Sequence, residues 1–301
     1  MIMKRSIGNE QSGQRLDDAI FLLCAGVSKS EARRIIDRGG CTVNQVMVRV
    51  ASRNVKTGDV IEIGVIEAGR FSELVLPPQA LLYEDTELIA VNKPAGINSQ
   101  RTPYQLKGTL EFWVSEYFKS QGNSEPARVV HRLDRGTSGA MLFPKQKRTA
   151  AWLSARFQDG TVDKRYLALV SGCPERDIWT MDAPIGKIAS ARYGIVAGGK
   201  SAVTEFRLLS SLDGASLVEA RPLTGRTHQI RVHLAESGVP IIGDTTYGNV
   251  PAERMMLHCS AMAFRNPDGK EIRVCAPPDG VFEEYTVKER FSRCLLAYPH
   301  E

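Results

Sequence analysis

The chain has 301 residues, of which 43% are hydrophobic and 24% charged, with a net charge of +5 and a pI of about 8.9. That length suggests two domains and that composition a globular protein, and the mild basic excess admits a nucleic-acid partner without requiring one. No apolar run is long enough to span a bilayer, the first residues carry no secretory apolar segment, and the six cysteines (Cys24, Cys41, Cys173, Cys259, Cys275, Cys294) form no Cys-x-x-Cys pair, so zinc is disfavoured and reduced thiols in a cytoplasm are expected.

Leu16, Ile20 and Leu23 lie at helical spacing in a segment that Gly26 ends. Ser28, with Glu31 three residues on, predicts the capped start of a second helix with an apolar face of Ala32, Ile35 and Ile36. Lys29, Arg33, Arg34 and Arg38 give that helix four cations, and Gly39-Gly40 terminates it. Short strands are expected at Cys41–Asn44 and Val60–Ile63. Residues 1–70 hold 11 Lys and Arg against 8 Asp and Glu, a net +3 of the chain's +5, so the basic excess is concentrated here. A basic helix alone is often just a solvated face. The order of Arg15-Leu16-Asp17, the Ser28–Arg33 helix, Val43-Asn44 and Gly58-Asp59 nevertheless resembles the S4 RNA-binding domain. That resemblance implies a small α+β module over residues 13–70, with Lys29, Arg33, Arg34 and Arg38 on structured RNA. Such contacts give affinity and position more than base specificity.

An extended joint is expected over Glu67–Pro78, before a second domain over residues 74–301. There, Leu88–Val91 reads as a buried strand, Asn92-Lys93-Pro94-Ala95-Gly96 as a turn, and Thr109–Phe118 as a helix. Val129-Val130 then enters a loop, His131-Arg132-Leu133-Asp134-Arg135-Gly136-Thr137-Ser138-Gly139, which places one carboxylate among cations. Positive neighbours favour an ionised Asp134, able to act as nucleophile or base, although such an aspartate is more often a surface ion pair. A strand leaves the loop through Met141–Lys145. Pro144 cannot donate to a ladder, which argues against pairing at that point.

A helix over Thr149–Phe157 precedes Lys164–Val170, a strand apolar on both faces and therefore central. Ala202–Leu208 and Leu217–Pro222 alternate as antiparallel strands. In the following Leu223–Leu234, Thr227 is expected to cap a helix on which Ile230, His233 and Leu234 share a face, ending at Gly238. His228 and His233, five apart, do not share a helix face as metal ligands would, and no metal is expected. Arg226 and Arg231 add charge at the helix start, where anions bind. The segment after Pro278 carries no readable motif.

His-Arg-Leu-Asp-x-x-Thr-Ser-Gly, together with the Asn92–Gly96, Lys164–Val170, Leu223–Leu234 and Pro240–Gly248 blocks, resembles the RluA-type RNA pseudouridine synthases from about Leu81 to Ala276. The resemblance implies an α+β domain built on a mainly antiparallel mixed sheet, flanked by helices and loops. It implies Asp134 as the catalytic carboxylate, Arg231 as its partner and Tyr166 as the ring stacked on the target uracil. Arg132, with His131 beside it and Arg226 further on, would meet the RNA, Arg132 filling the space the flipped base leaves. The implied isomerisation of uridine to pseudouridine keeps base and sugar, so no cofactor is expected. Ribosomal RNA is the first expectation for the partner, transfer RNA the alternative, and a monomer the default. An RNA-binding protein without activity and an aspartate-based hydrolase stay open, although a glycosidic hydrolase would need a second carboxylate.

Overall fold

The computed structural model describes residues 2–37, 40–48, 50–64, 76–101, 108–189, 191–212 and 214–288. They fall into two compact units, Met1–Val75 with Gln100–Tyr117 and Leu76–Ser99 with Phe118–Glu301. The expected joint at Glu67–Pro78 lies largely outside the described residues, as do Arg38 and Cys294.

In the first unit, β1 (Ile2–Ser6), α1 (Leu16–Leu23), α2 (Lys29–Asp37), β2 (Cys41–Val43), β3 (Val46–Met47) and β4 (Val60–Gly64) build an antiparallel sheet of order β1-β4-β2-β3 with two helices. Leu16, Ile20, Ala32, Ile35 and Ile36 from the helices pack with Cys41, Val43, Ile61 and Ile63 from the strands in one core. The Glu31 N–H donates to Ser28 Oγ at 3.2 Å, which caps α2. Strand β1, which pairs with β4 from Ile2↔Gly64 to Ser6↔Val60, lies ahead of the expected start of the module at Gly13. Its five residues carry too little alternation to be read as a strand in isolation.

The second unit holds β5 (Leu81–Glu84), β6 (Leu88–Lys93), β7 (Ser138–Pro144), α4 (Lys147–Gln158), β8 (Asp163–Ser171), β9 (Ile178–Asp182), β10 (Ile185–Ala189) and β11 (Arg192–Ile195), while α3 (Leu110–Ser120) begins in the first unit and ends here. It continues through β12 (Val203–Leu212), β13 (Ala215–Pro222), α5 (Gln229–Glu236), β14 (Leu257–Arg265), β15 (Glu271–Cys275) and α6 (Gly280–Lys288). The main sheet runs β5-β6-β7-β14-β8-β13-β12-β9, with β15 on β14. It is mixed and mostly antiparallel; β14 meets β7 in parallel. Strand β8 is central, as its two apolar faces predict, and Leu167, Ala168, Leu169 and Val170 are buried.

Pro144 corrects one expectation. Strand β7 stays paired to β6 as far as Leu88↔Pro144. The proline is the last residue of the strand, and the next N–H, from Lys145, donates to Glu87 O at 2.8 Å. A missing donor costs little where the ladder ends anyway. Among the described residues, no helix is long and apolar enough to cross a membrane.

Candidate active site

The Asp134 loop leads from α3 into β7, and local bonds fix its shape. Leu133 N–H donates to Ser99 Oγ at 3.1 Å, and Ser99 Oγ donates back to Leu133 O at 2.6 Å. Thr137 N–H closes a turn onto Asp134 O at 3.1 Å. Gly139 must be glycine: its φ is +116°, and a Cβ there would lie 2.2 Å from Cys259 O on the neighbouring strand. Ser138 Oγ lies 2.8 Å from His258 Nδ1, and His258 Nε2 2.9 Å from Ala276 O. A carbonyl only accepts, so Nε2 carries the proton and Nδ1 accepts from the serine.

Lys93 is fully buried beneath this loop. Its Nζ donates to Pro94 O (3.0 Å), Ile97 O (2.8 Å) and Arg135 O (3.4 Å), tying the turn after β6 to the residue next to Asp134. Burial pushes its pKa down to about 7, with the Asp134 charge working against the fall.

Arg231, in the first turn of α5, bridges two carboxylates. Nη1 donates to Asp134 Oδ2 at 2.9 Å. Nε and Nη2 grip Asp244 Oδ2 and Oδ1 at 2.7 and 2.8 Å. The Asp244 side chain is 1% exposed, that of Arg231 9% and that of Asp134 30%, so the chain runs from the interior to an accessible carboxylate. Burial works against the Arg231 charge, but the Asp244 and Asp134 carboxylates outweigh it and raise the guanidinium pKa. Burial likewise works against Asp244, which Arg231 and the N–H groups of Thr246 and Tyr247 hold below the ordinary carboxylate range. The Arg231 guanidinium also lies 5.0 Å from the Tyr247 ring centre. The result is one accessible carboxylate, aimed and kept in place by a donor that cannot leave.

Residues 87–236 match the family described as RNA pseudouridylate synthase, and residues 14–61 match the S4 domain. "Ribosomal large subunit pseudouridine synthase C" of Vibrio parahaemolyticus is 30% identical over 303 residues, covering 93% of this chain and 94% of that protein. The chain belongs to the RNA pseudouridine synthase family. "Ribosomal large subunit pseudouridine synthase D" of Zymomonas mobilis is 30% identical to the synthase, over 89% of this chain and 91% of that one. Among solved structures, "Human RNA Pseudouridylate Synthase Domain Containing 1" aligns with a TM-score of 0.58 at 27% identity, over 73% of this chain and 95% of that one. "Human RNA Pseudouridylate Synthase Domain Containing 4", at 24% identity and a TM-score of 0.60 over 70% and 93% of the two chains, shares the fold.

The synthase brings Asp134 and Arg231 together although 97 residues separate them. Tyr166 lies across from Cys259 in the β8–β14 pairing and is 9% exposed. Burial first, then Cys259 and the Asp134 charge, raise its pKa well above the ordinary value, so the phenol keeps its proton. Arg132 is exposed two residues before Asp134. Arg226 is exposed too, with Nε donating to Ser201 O at 2.8 Å.

His131 Nε2 accepts the Leu142 N–H at 2.9 Å, and its ring stacks on Phe157 with centroids 4.3 Å apart. Burial, with Lys164 adding to it, takes the His131 pKa down to about 3, and the neutral ring braces β7. Thr227 does not cap α5; the residue before the helix is His228, in a left-handed conformation. Gln229 orders that turn instead, its Oε1 accepting from Arg226 N–H at 2.9 Å and Thr224 Oγ1 at 2.7 Å. In the S4 module, Lys29 pairs with Asp18, and Arg33 Nε holds the buried Asp17 at 2.6 Å. Those two cations bind α2 to α1, and both, like Arg34, also stand exposed to solvent.

Sequence reasoning passed over Asp244 and Lys93. Lys93 stands in the Asn-Lys-Pro block, which reads as a plain turn, and Asp244 in the Pro240–Gly248 block, quoted only for its resemblance. A charged residue inside an apolar or turn segment with no partner in sight was the available signal.

Proposed function

We propose that Asp134 is the catalytic carboxylate for converting uridine to pseudouridine in ribosomal RNA. The C1′–N1 bond breaks, the uracil turns, and C1′–C5 forms, while C5 gives up its hydrogen and N1 gains a proton. The observation that carries this reading is an accessible carboxylate held at 2.9 Å by an arginine whose other edge is fixed on buried Asp244. A stacked base hides the glycosidic bond, so the nucleotide must flip, at a cost of a few kcal/mol. Arg132 fills the gap, and the Tyr166 ring faces the uracil, a contact of about 1–3 kcal/mol for stacked bases. Arg231 is a positioning residue for Asp134. Nothing in the bond changes calls for a redox group or an energy source.

The 13–70 segment docks the RNA through Arg34, Arg38 and the exposed parts of Lys29 and Arg33, with Arg226 contributing from the catalytic domain at 74–301. The names of the relatives from Vibrio parahaemolyticus and Zymomonas mobilis support ribosomal RNA over transfer RNA as substrate. The reading places a monomer in the cytoplasm. The test is tritium release from ribosomal and transfer RNA labelled at uracil C5. Release from large-subunit RNA is expected, and Asp134→Asn is expected to lower it by at least about 10³-fold with folding and RNA binding kept. Full release by that variant overturns the assignment; release from transfer RNA alone overturns the substrate.

A further inference from the structure

One titratable side chain faces Asp134 without a role so far. His228 Nε2 lies 3.8 Å from Asp134 Oδ2. Its backbone is left-handed, with φ +58°, a conformation unfavourable for most residues that histidine adopts more readily than most. The ring is seated edge-on to Tyr193 and Tyr247, with centroids 5.4 and 5.6 Å away. Its Nδ1 lies 2.8 Å from the Tyr247 hydroxyl, and that hydroxyl accepts the Tyr193 N–H at 2.9 Å.

Counting donors fixes the tautomer. A phenol has one proton and a neutral imidazole has one N–H. If Nδ1 held the imidazole proton, a bare Nε2 lone pair would face a carboxylate, acceptor against acceptor. If Tyr247 donates to Nδ1, its oxygen stays free to accept from Tyr193, and Nε2–H faces Asp134. The second arrangement satisfies every group.

We propose that His228 is a positioning residue for Asp134: a neutral imidazole, locked by Tyr247 as the Nε2–H tautomer, that supplies the carboxylate with a second donor beside Arg231. This rests on Asp134 being the catalytic carboxylate. The 3.8 Å gap is too long for a hydrogen bond, and contacts of this kind commonly tighten only once substrate is bound. Burial lowers the His228 pKa and keeps the ring neutral; Asp134 and Asp244 oppose the fall and Arg231 adds to it. Tyr193 and Tyr247 complete its surroundings, with Arg192 5.9 Å from the Tyr247 ring centre.

Nitrogen NMR of protein labelled with 15N-histidine reads the tautomer without any RNA, His228→Gln identifying the resonance. The Nε2–H form is expected in the wild type, and a mixture containing Nδ1–H in Tyr247→Phe. A wild-type Nδ1–H form, or a tautomer that ignores Tyr247→Phe, overturns the proposal. Tritium release from transcribed large-subunit ribosomal RNA gives the second arm. His228→Ala is expected to lower kcat about tenfold with KM within about twofold, and His228→Gln, which restores an N–H near the Nε2 place, to recover most of that loss. A change in KM alone would make His228 an RNA contact and overturn the proposal. A wild type inactive on that RNA defeats the substrate reading instead, and the NMR arm still decides this one. Thermal melts of each variant separate misfolding from lost positioning.

Discussion

The cations at the Asp134 site and those on α2 work under opposite conditions. Arg231 is 9% exposed and makes three hydrogen bonds to two carboxylates; Arg33 is 51% exposed and leans on one. Around Arg231, low dielectric makes each bond strong and each missing partner costly. Around Arg33, water and salt screen the charge. Basic residues that look alike in a sequence therefore divide into those fixed inside a site and those left facing solvent.

The largest expected break in that contrast is Arg231→Lys. It keeps the charge, but an ammonium cannot bridge both carboxylates in one plane. Tritium release should fall by about 10²–10³-fold, while RNA affinity in filter binding changes little. Asp244→Ala strands the guanidinium in the interior and should cost about 3–5 kcal/mol of unfolding free energy in denaturant titrations. An equally large effect from Arg33→Ala would erase the distinction between the two regions.

Acid should act on the buried side. Folded His131 and His258 have pKa values lowered by burial to about 3 and about 4, below their unfolded value of about 6.5. Between those limits the unfolded chain binds more protons, so stability falls as pH drops from about 6.5 toward 4. Thermal melts across that range check it, and a His131→Gln variant should show a shallower decline. Lys93 has the same sign in another window. Its folded pKa of about 7 lies below an unfolded value of about 10.4, so the stability difference between wild type and Lys93→Met should shift in favour of wild type from pH 7 to 10.

The smallest effect belongs to the exposed face. Arg34→Ala should leave kcat and stability within error and reduce the slope of log affinity against log salt by about 0.7–0.9, one phosphate contact. Arg33→Ala should lose stability as well, because it removes a partner from the fully buried Asp17.

The same contrast governs what could be read in advance. The strands β6, β7, β8, β12 and β13 were legible because two-residue alternation or unbroken apolar runs are local. The partnership of Asp134 with Arg231 spans 97 residues, and only the resemblance of whole blocks joined them. Asp244 was invisible for a related reason. Its partner lies 13 residues back across a helix end, where no local spacing pattern links the two. The α5 start was misread because Thr227 suits a cap by type, whereas the helix begins after His228 with no side-chain cap, and Gln229, its first residue, orders the turn before it.

Lys93 has a consequence for how the loop responds to its surroundings. Three carbonyl oxygens converge on one ammonium, much as carbonyls in other proteins gather round a dissolved ion. Here the ion is tethered to the backbone it organises, so it can neither be chelated nor exchanged. The loop before Asp134 therefore takes its shape without drawing a cation from the medium.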